Sequence, residues 1–180
     1  MTSILITGSS RGIGAAAFAA LAERGVNVIG HATTASSPDT IAADFSAPQA
    51  AQMLWEEALD RSGGNIAAVV NNAGIFEANR LNRSDIEWLD AWEDTLRINL
   101  TAAAQLSRYA VNHWLARPAD SAGVRGRLVH VASRAAYRGD SPAHWHYAAA
   151  KGGMVAMHKT IARAYADQGV LSFAITPGFT

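Results

Sequence analysis

Ile4-Leu5-Ile6-Thr7-Gly8-Ser9-Ser10-Arg11-Gly12-Ile13-Gly14 is an apolar run that breaks at glycine and reopens into a helix-forming run over 15–24, which Gly25 ends. The pattern reads as strand, turn, helix. Such a turn uses glycine because the backbone takes positive φ and comes close to a ligand, while the free N–H groups that open the helix suit a pyrophosphate. The spacing Gly-x-x-x-Gly-x-Gly is not the commoner Gly-x-Gly-x-x-Gly fingerprint, and the Gly-Lys-Ser/Thr of a P-loop is missing. A tight structural turn would need the same glycines, so the loop alone leaves both readings open.

Working outward, 180 residues at 49% apolar and 17% charged describe one globular domain over 1–180, enough to bury roughly 70% of the unfolded surface. Fifteen basic and fifteen acidic side chains cancel, so the charge balance favours neither nucleic acid nor an anionic membrane as partner. A small molecule or another subunit is expected instead. The chain has no cysteine, which excludes disulfides, thiolate nucleophiles and Cys-based zinc sites and fits a reducing compartment. No basic leader and no apolar run approaching about 18 residues is present, so the expected location is the cytoplasm.

Further strands are predicted at 26–29, 41–45, 66–70, 127–133 and 170–175, separated by helical runs. That alternation predicts an α/β fold, a doubly wound parallel sheet in three layers. After the second strand a dinucleotide fold would place an acid for the adenosine ribose. Gly30-His31-Ala32-Thr33-Thr34-Ala35 has none, and Arg11 and Thr33 can donate to a 2′-phosphate, which favours NADP(H) over NAD(H). Asp44 and Phe45 end the third strand beside this site. Asp44 either accepts from an adenine amino group or caps the helix beginning near Pro48.

The fourth strand runs into Asn71-Asn72-Ala73-Gly74, small and amide-bearing residues where open parallel sheets bind ligands. A long helix over 94–116 would carry Asn99, at face value a surface position, and the Trp88/Trp92 pair suits packing. Ser133 arrives at the end of the fifth strand, where its hydroxyl can donate to a substrate oxygen. The loop from Arg134 to His146 follows, and its Arg138, His144 and His146 suggest a polar or anionic substrate. Tyr147 and Lys151, four residues apart, stack on one helix face. An ammonium beside a phenol favours the phenolate, which makes tyrosine a usable general acid or base. Many solvated helices carry the same pair by accident.

Taken together, Thr7 to Gly14, Asn71-Asn72-Ala73-Gly74, Asn99, Ser133, Tyr147-x-x-x-Lys151 and Pro177-Gly178 resemble, in order and separation, the short-chain dehydrogenase/reductase family, single-domain branch. The segment after strand two is similar to that of the NADP-dependent 3-oxoacyl-carrier-protein reductases. The resemblance implies a Rossmann fold and hydride transfer between NADP(H), or NAD(H), and a carbonyl or secondary alcohol substrate. Tyr147 would move the proton, Lys151 would favour its phenolate and hold the nicotinamide ribose, Ser133 would orient the substrate oxygen, and Asn99 would hold a helix-bound water. Gly8, Ser10, Arg11, Gly12, Ile13, Gly14, Thr33, Asp44, Phe45, Asn72, Ala73 and Gly74 would bind the adenosine and pyrophosphate side, and Pro177 and Gly178 the nicotinamide. A homodimer or larger homo-oligomer is expected. The departure is at Thr180, where the family continues to a seventh strand that is missing here, either naturally or because the chain is a fragment. The competing readings are a dinucleotide-binding protein without turnover, and metal chemistry through His144-x-His146, which lacks an acidic ligand and is not the expectation.

Overall fold

The computed structural model describes residues 2–34 and 36–178; Ala35 and Thr180, which the sequence reading touched, lie outside them. Among the described residues, β1 (Ser3–Ile6), β2 (Asn27–Ala32), β3 (Thr40–Ala42), β4 (Ile66–Asn71), β5 (Gly126–Val131) and β6 (Val170–Ile175) form one sheet. Every pairing is parallel and the order is β3-β2-β1-β4-β5-β6. The chain reverses its direction of travel across the sheet between β1 and β4, and it is in the crevice at such a switch point that sheets of this kind bind ligands.

Helices α1 (Gly12–Ala22), α2 (Ala50–Arg61), α3 (Asp85–Leu96), α4 (Ala102–Leu115), α5 (Ala135–Arg138) and α6 (Trp145–Tyr165) fill the connections. Right-handed crossovers put α1, which leads from β1 leftward to β2, on one face and the rightward connections on the other. Consistent with that, α2 packs on α4 and α4 on α6. Leu5, Val69 and Leu128 from the central strands and Leu54 and Leu106 from α2 and α4 are fully buried. Each contributes roughly 2–3 kcal/mol by leaving water, and together they fix the platform beneath the crevice.

Several elements differ from the sequence pattern: β2 runs on to Ala32, β5 ends at Val131 and so stops short of Ser133, and α5 lies within the stretch read as a loop. The helix expected over 94–116 is two helices: α3 starts at a capping box in which Ser84 and Glu87 bond each other's backbone, and a π-helical turn at Arg97–Thr101 separates it from α4. A π-turn adds one residue without disturbing the apolar rhythm on either side, so periodicity cannot reveal it. The third strand is shorter than predicted, because Asp44 turns back on Ser46 instead of extending. Helix α2 begins at Ala50, with Gln49 rather than Asp44 at its N-cap.

Trp114 closes the lower end of the core. Its ring is 1% exposed, and its Nε1 donates to the Ile66 carbonyl at 2.7 Å. The ring lies against Gly126 so closely that a Cβ there would stand 2.0 Å from it. Gly126→Ala should therefore displace the indole from a well-packed site and lower the unfolding free energy by about 2–3 kcal/mol. Urea denaturation with an unchanged slope and an earlier midpoint is the expected readout.

Candidate active site

The floor of the crevice is tied together by one threonine and one asparagine. At the end of β1, Thr7 Oγ1 accepts the N–H groups of Asn72 and Ala73, each at 2.9 Å, and lies 3.3 Å from the Val70 carbonyl, to which it donates. Asn72 Nδ2 donates back to the carbonyls of Thr7 at 2.9 Å and Gly8 at 3.0 Å. The chain after β4 is thereby bonded to the glycine loop. Gly8, at φ 65°, has no room for a side chain, since a Cβ would lie 2.8 Å from the Ala73 Cα. Gly14 sits behind the loop, where a Cβ would be 2.1 Å from the Gly8 carbonyl oxygen. No side chain caps the start of α1, so its first N–H groups are left for a ligand, as an anion-binding helix end requires.

A residue that the sequence reading passed over sets the other side of the loop. His31, 3% exposed, takes the Gly8 N–H on Nδ1 at 3.0 Å, so its proton sits on Nε2, which donates to the Ala43 carbonyl at 2.7 Å. Phe45 stacks on the ring at 4.4 Å. Burial pushes the His31 pKa below its usual value, partly opposed by the Ala43 bond and the Asp44 charge. The only signal in the sequence was its place beside Gly30 near the end of strand two. Asp44 is exposed, and its carboxylate accepts the Ser46 N–H at 2.9 Å, which lowers its pKa.

Asn99, expected at the surface, is completely buried. Its Oδ1 accepts the Ile75 N–H and its Nδ2 donates to the Ile75 carbonyl, both at 2.8 Å, so one amide satisfies both backbone groups of that residue. The π-turn swings Asn99 inward to do this. Gly74 lies directly over it, with Asn99 Oδ1 3.2 Å and Lys151 Nζ 3.7 Å from where a Cβ would stand.

Lys151, 4% exposed, donates from Nζ to the carbonyl of Val131, the last residue of β5, at 2.7 Å, and Nζ stands 5.8 Å from the centroid of the half-buried Tyr147 ring. Burial lowers its pKa from 10.5 to about 8. Ser133 Oγ accepts the Ala135 N–H at 3.1 Å, which fixes the serine at the entrance to α5. One cavity of about 860 Å³ joins the glycine loop to Tyr147 and Lys151. Of the residues expected from sequence to bind the cofactor or act in catalysis, all line it except Gly14, behind the loop, and Asn99, beneath Gly74. The loop from Arg134 to His146 contributes no charged side chain to the lining: Arg138 is exposed and outside it, His146 is buried, and His144 stacks against Phe76. Among the described residues no three His, Cys, Asp or Glu side chains gather as a metal-binding group, and no helix is long and apolar enough to cross a membrane.

The short chain dehydrogenase family model matches residues 2–180. The chain belongs to this family. Among curated short-chain dehydrogenase relatives it is similar to the 3-oxoacyl-acyl-carrier-protein reductase FabG of Vibrio cholerae, 34% identical over 97% of this chain and 72% of that protein. The Escherichia coli FabG is 32% identical over the same shares. A crystal structure of the NADH-dependent reductase A1-R′ complexed with NAD superposes with a TM-score of 0.87 over 99% of this chain and 79% of that one, at 23% identity, which establishes the shared fold.

In this member of the family the buried ammonium has a measurable consequence. Because Lys151 has a folded pKa of about 8 against 10.5 when free, the unfolded chain holds more protons at that residue between the two values. Its stabilising contribution is complete above the unfolded value and is lost as pH falls through the folded one, for a limiting difference of about 3 kcal/mol. Unfolding free energies measured across that interval should rise with pH in the wild type relative to Lys151→Met, in which this component is gone.

Proposed function

We propose that the chain is a nicotinamide-dinucleotide-dependent oxidoreductase acting on a carbonyl or secondary alcohol, with NADP(H) preferred. The observation that carries this reading is the continuity of one cavity from the uncapped start of α1 to Tyr147, Lys151 and Ser133. When bound, the dinucleotide supplies or accepts the hydride; the protein contributes position, proton and charge. Gly8, Ser10, Gly12 and Ile13 would receive the pyrophosphate, and Asn72, Ala73, Gly74, Asp44 and Phe45 the adenosine side. Lys151 would hold the nicotinamide ribose, with Pro177 and Gly178 against the nicotinamide. The preference for a 2′-phosphate rests on Arg11 and Thr33, which line the cavity at the β2 end, where no acidic side chain follows the strand.

During reduction the Tyr147 hydroxyl gives its proton to the substrate oxygen, while Ser133 donates a hydrogen bond that orients that oxygen. The ammonium of Lys151 acts on the negative charge left on the phenol. Asn99 supports the site by fixing Ile75; with both ends of its amide used there, a water at this turn would be held by main-chain groups. In oxidation the same groups run in reverse.

Tyr147→Phe should lower carbonyl-dependent oxidation of NADPH by roughly 10²–10⁴-fold, with NADPH affinity, read by calorimetry, essentially unchanged and tighter than that for NADH. Equal turnover by wild type and variant would favour a binding protein over an enzyme.

A further inference from the structure

We infer that Phe76, backed by His144, is the specificity wall at the substrate end of the cavity, and that it selects a carbonyl compound bearing a flat apolar group, aryl or conjugated alkenyl, over an anionic one. The inference rests on the oxidoreductase reading and names its substrate class.

Phe76 lines the same cavity as Ser133 and Tyr147, yet its side chain is 57% exposed. An exposed phenylalanine ordinarily folds down onto the nearest apolar surface. This one is held up. His144 stacks face to face on it at 3.9 Å with the planes 8° apart, and the Tyr147 ring meets it edge to face at 4.7 Å. His144 is fixed in turn by Ser141, its Nδ1 lying 2.6 Å from the serine Oγ. The backbone on either side is pinned as well, through the Asn79 N–H donating to Ala143 at 2.8 Å and through the Asn99 clamp on Ile75. The remaining open surface of the ring therefore stands ready beside the proton donor.

Charge is distributed to match. Among the described residues, the charged side chains lining the cavity are Arg11 and Asp44, at the glycine-loop end, and Lys151, which is buried against Val131. The apolar side chains of the lining include Ile75, Phe76, Ile98 and Ala132, and Phe76 is in contact with the Tyr147 ring. Arg138, His144 and His146, from which an anionic substrate was expected, are not among the described residues that line the cavity. A flat apolar substituent gains ring stacking beyond simple burial, enough for a preference of roughly tenfold.

The test compares kcat/KM for three ketones: an aryl alkyl ketone, its saturated cyclohexyl counterpart, and the aryl ketone carrying a carboxylate. Wild type should prefer the aryl compound by roughly tenfold over the saturated one and by more over the carboxylate. Phe76→Leu, which keeps apolar bulk but loses the ring, should bring the aryl-to-saturated ratio to about one. A wild-type ratio near one, or a ratio unmoved by Phe76→Leu with all three substrates slowed alike, would overturn this inference and leave Phe76 as a support for Tyr147. Failure of the wild type to reduce any ketone while binding NADPH would overturn the oxidoreductase reading itself.

Discussion

The hydrogen bonds between Thr7 and Asn72 are the constraint on which the rest of the site depends. β1 and β4 are adjacent in the sheet and remote in sequence, and the loops leaving them are bonded to each other at the floor of the crevice. Thr7 Oγ1 takes two N–H groups of the second loop while Asn72 returns two bonds to carbonyls of the first. Backbone groups that the sheet cannot pair at the switch point are thus satisfied by side chains. The requirement that the two loops touch makes Gly8 and Gly14 necessary, since any Cβ at either would collide with what this bonding brings together.

Similar bonding recurs around the cavity, where several of the side chains that shape it are buried and hydrogen-bonded to the main chain. Asn99 is spent on Ile75, His31 on Gly8 and Ala43, Lys151 on Val131. Fixing polar groups before a substrate arrives is how a site avoids reorganising during a reaction.

Much of this was legible from residue order. Near-continuous apolar strands alternating with helices gave the parallel sheet, and the glycine loop, Asn72, Ser133, Tyr147 and Lys151 all reach the one cavity. What periodicity could not show were events of a single residue. The π-turn that buries Asn99 leaves the apolar rhythm intact, and the return of Asp44 onto Ser46 shortens β3 without any change of composition. His31 and Phe76 were missed because their roles arise from partners distant in sequence: Gly8 and Ala43 for one, His144 and Tyr147 for the other. Nor did composition reveal that Arg138, His144 and His146 are not among the residues lining the cavity.

The central claim is that one cavity brings a nicotinamide and a substrate carbonyl together beside Tyr147. It is tested most directly by following a label: NADPH deuterated at the transferable ring position is incubated with the protein and an aryl ketone, and the alcohol product is analysed by mass spectrometry and proton NMR. The account predicts one deuterium on the carbinol carbon, on a single face. Alcohol formed without label, or no alcohol at all from protein saturated with cofactor, would contradict it.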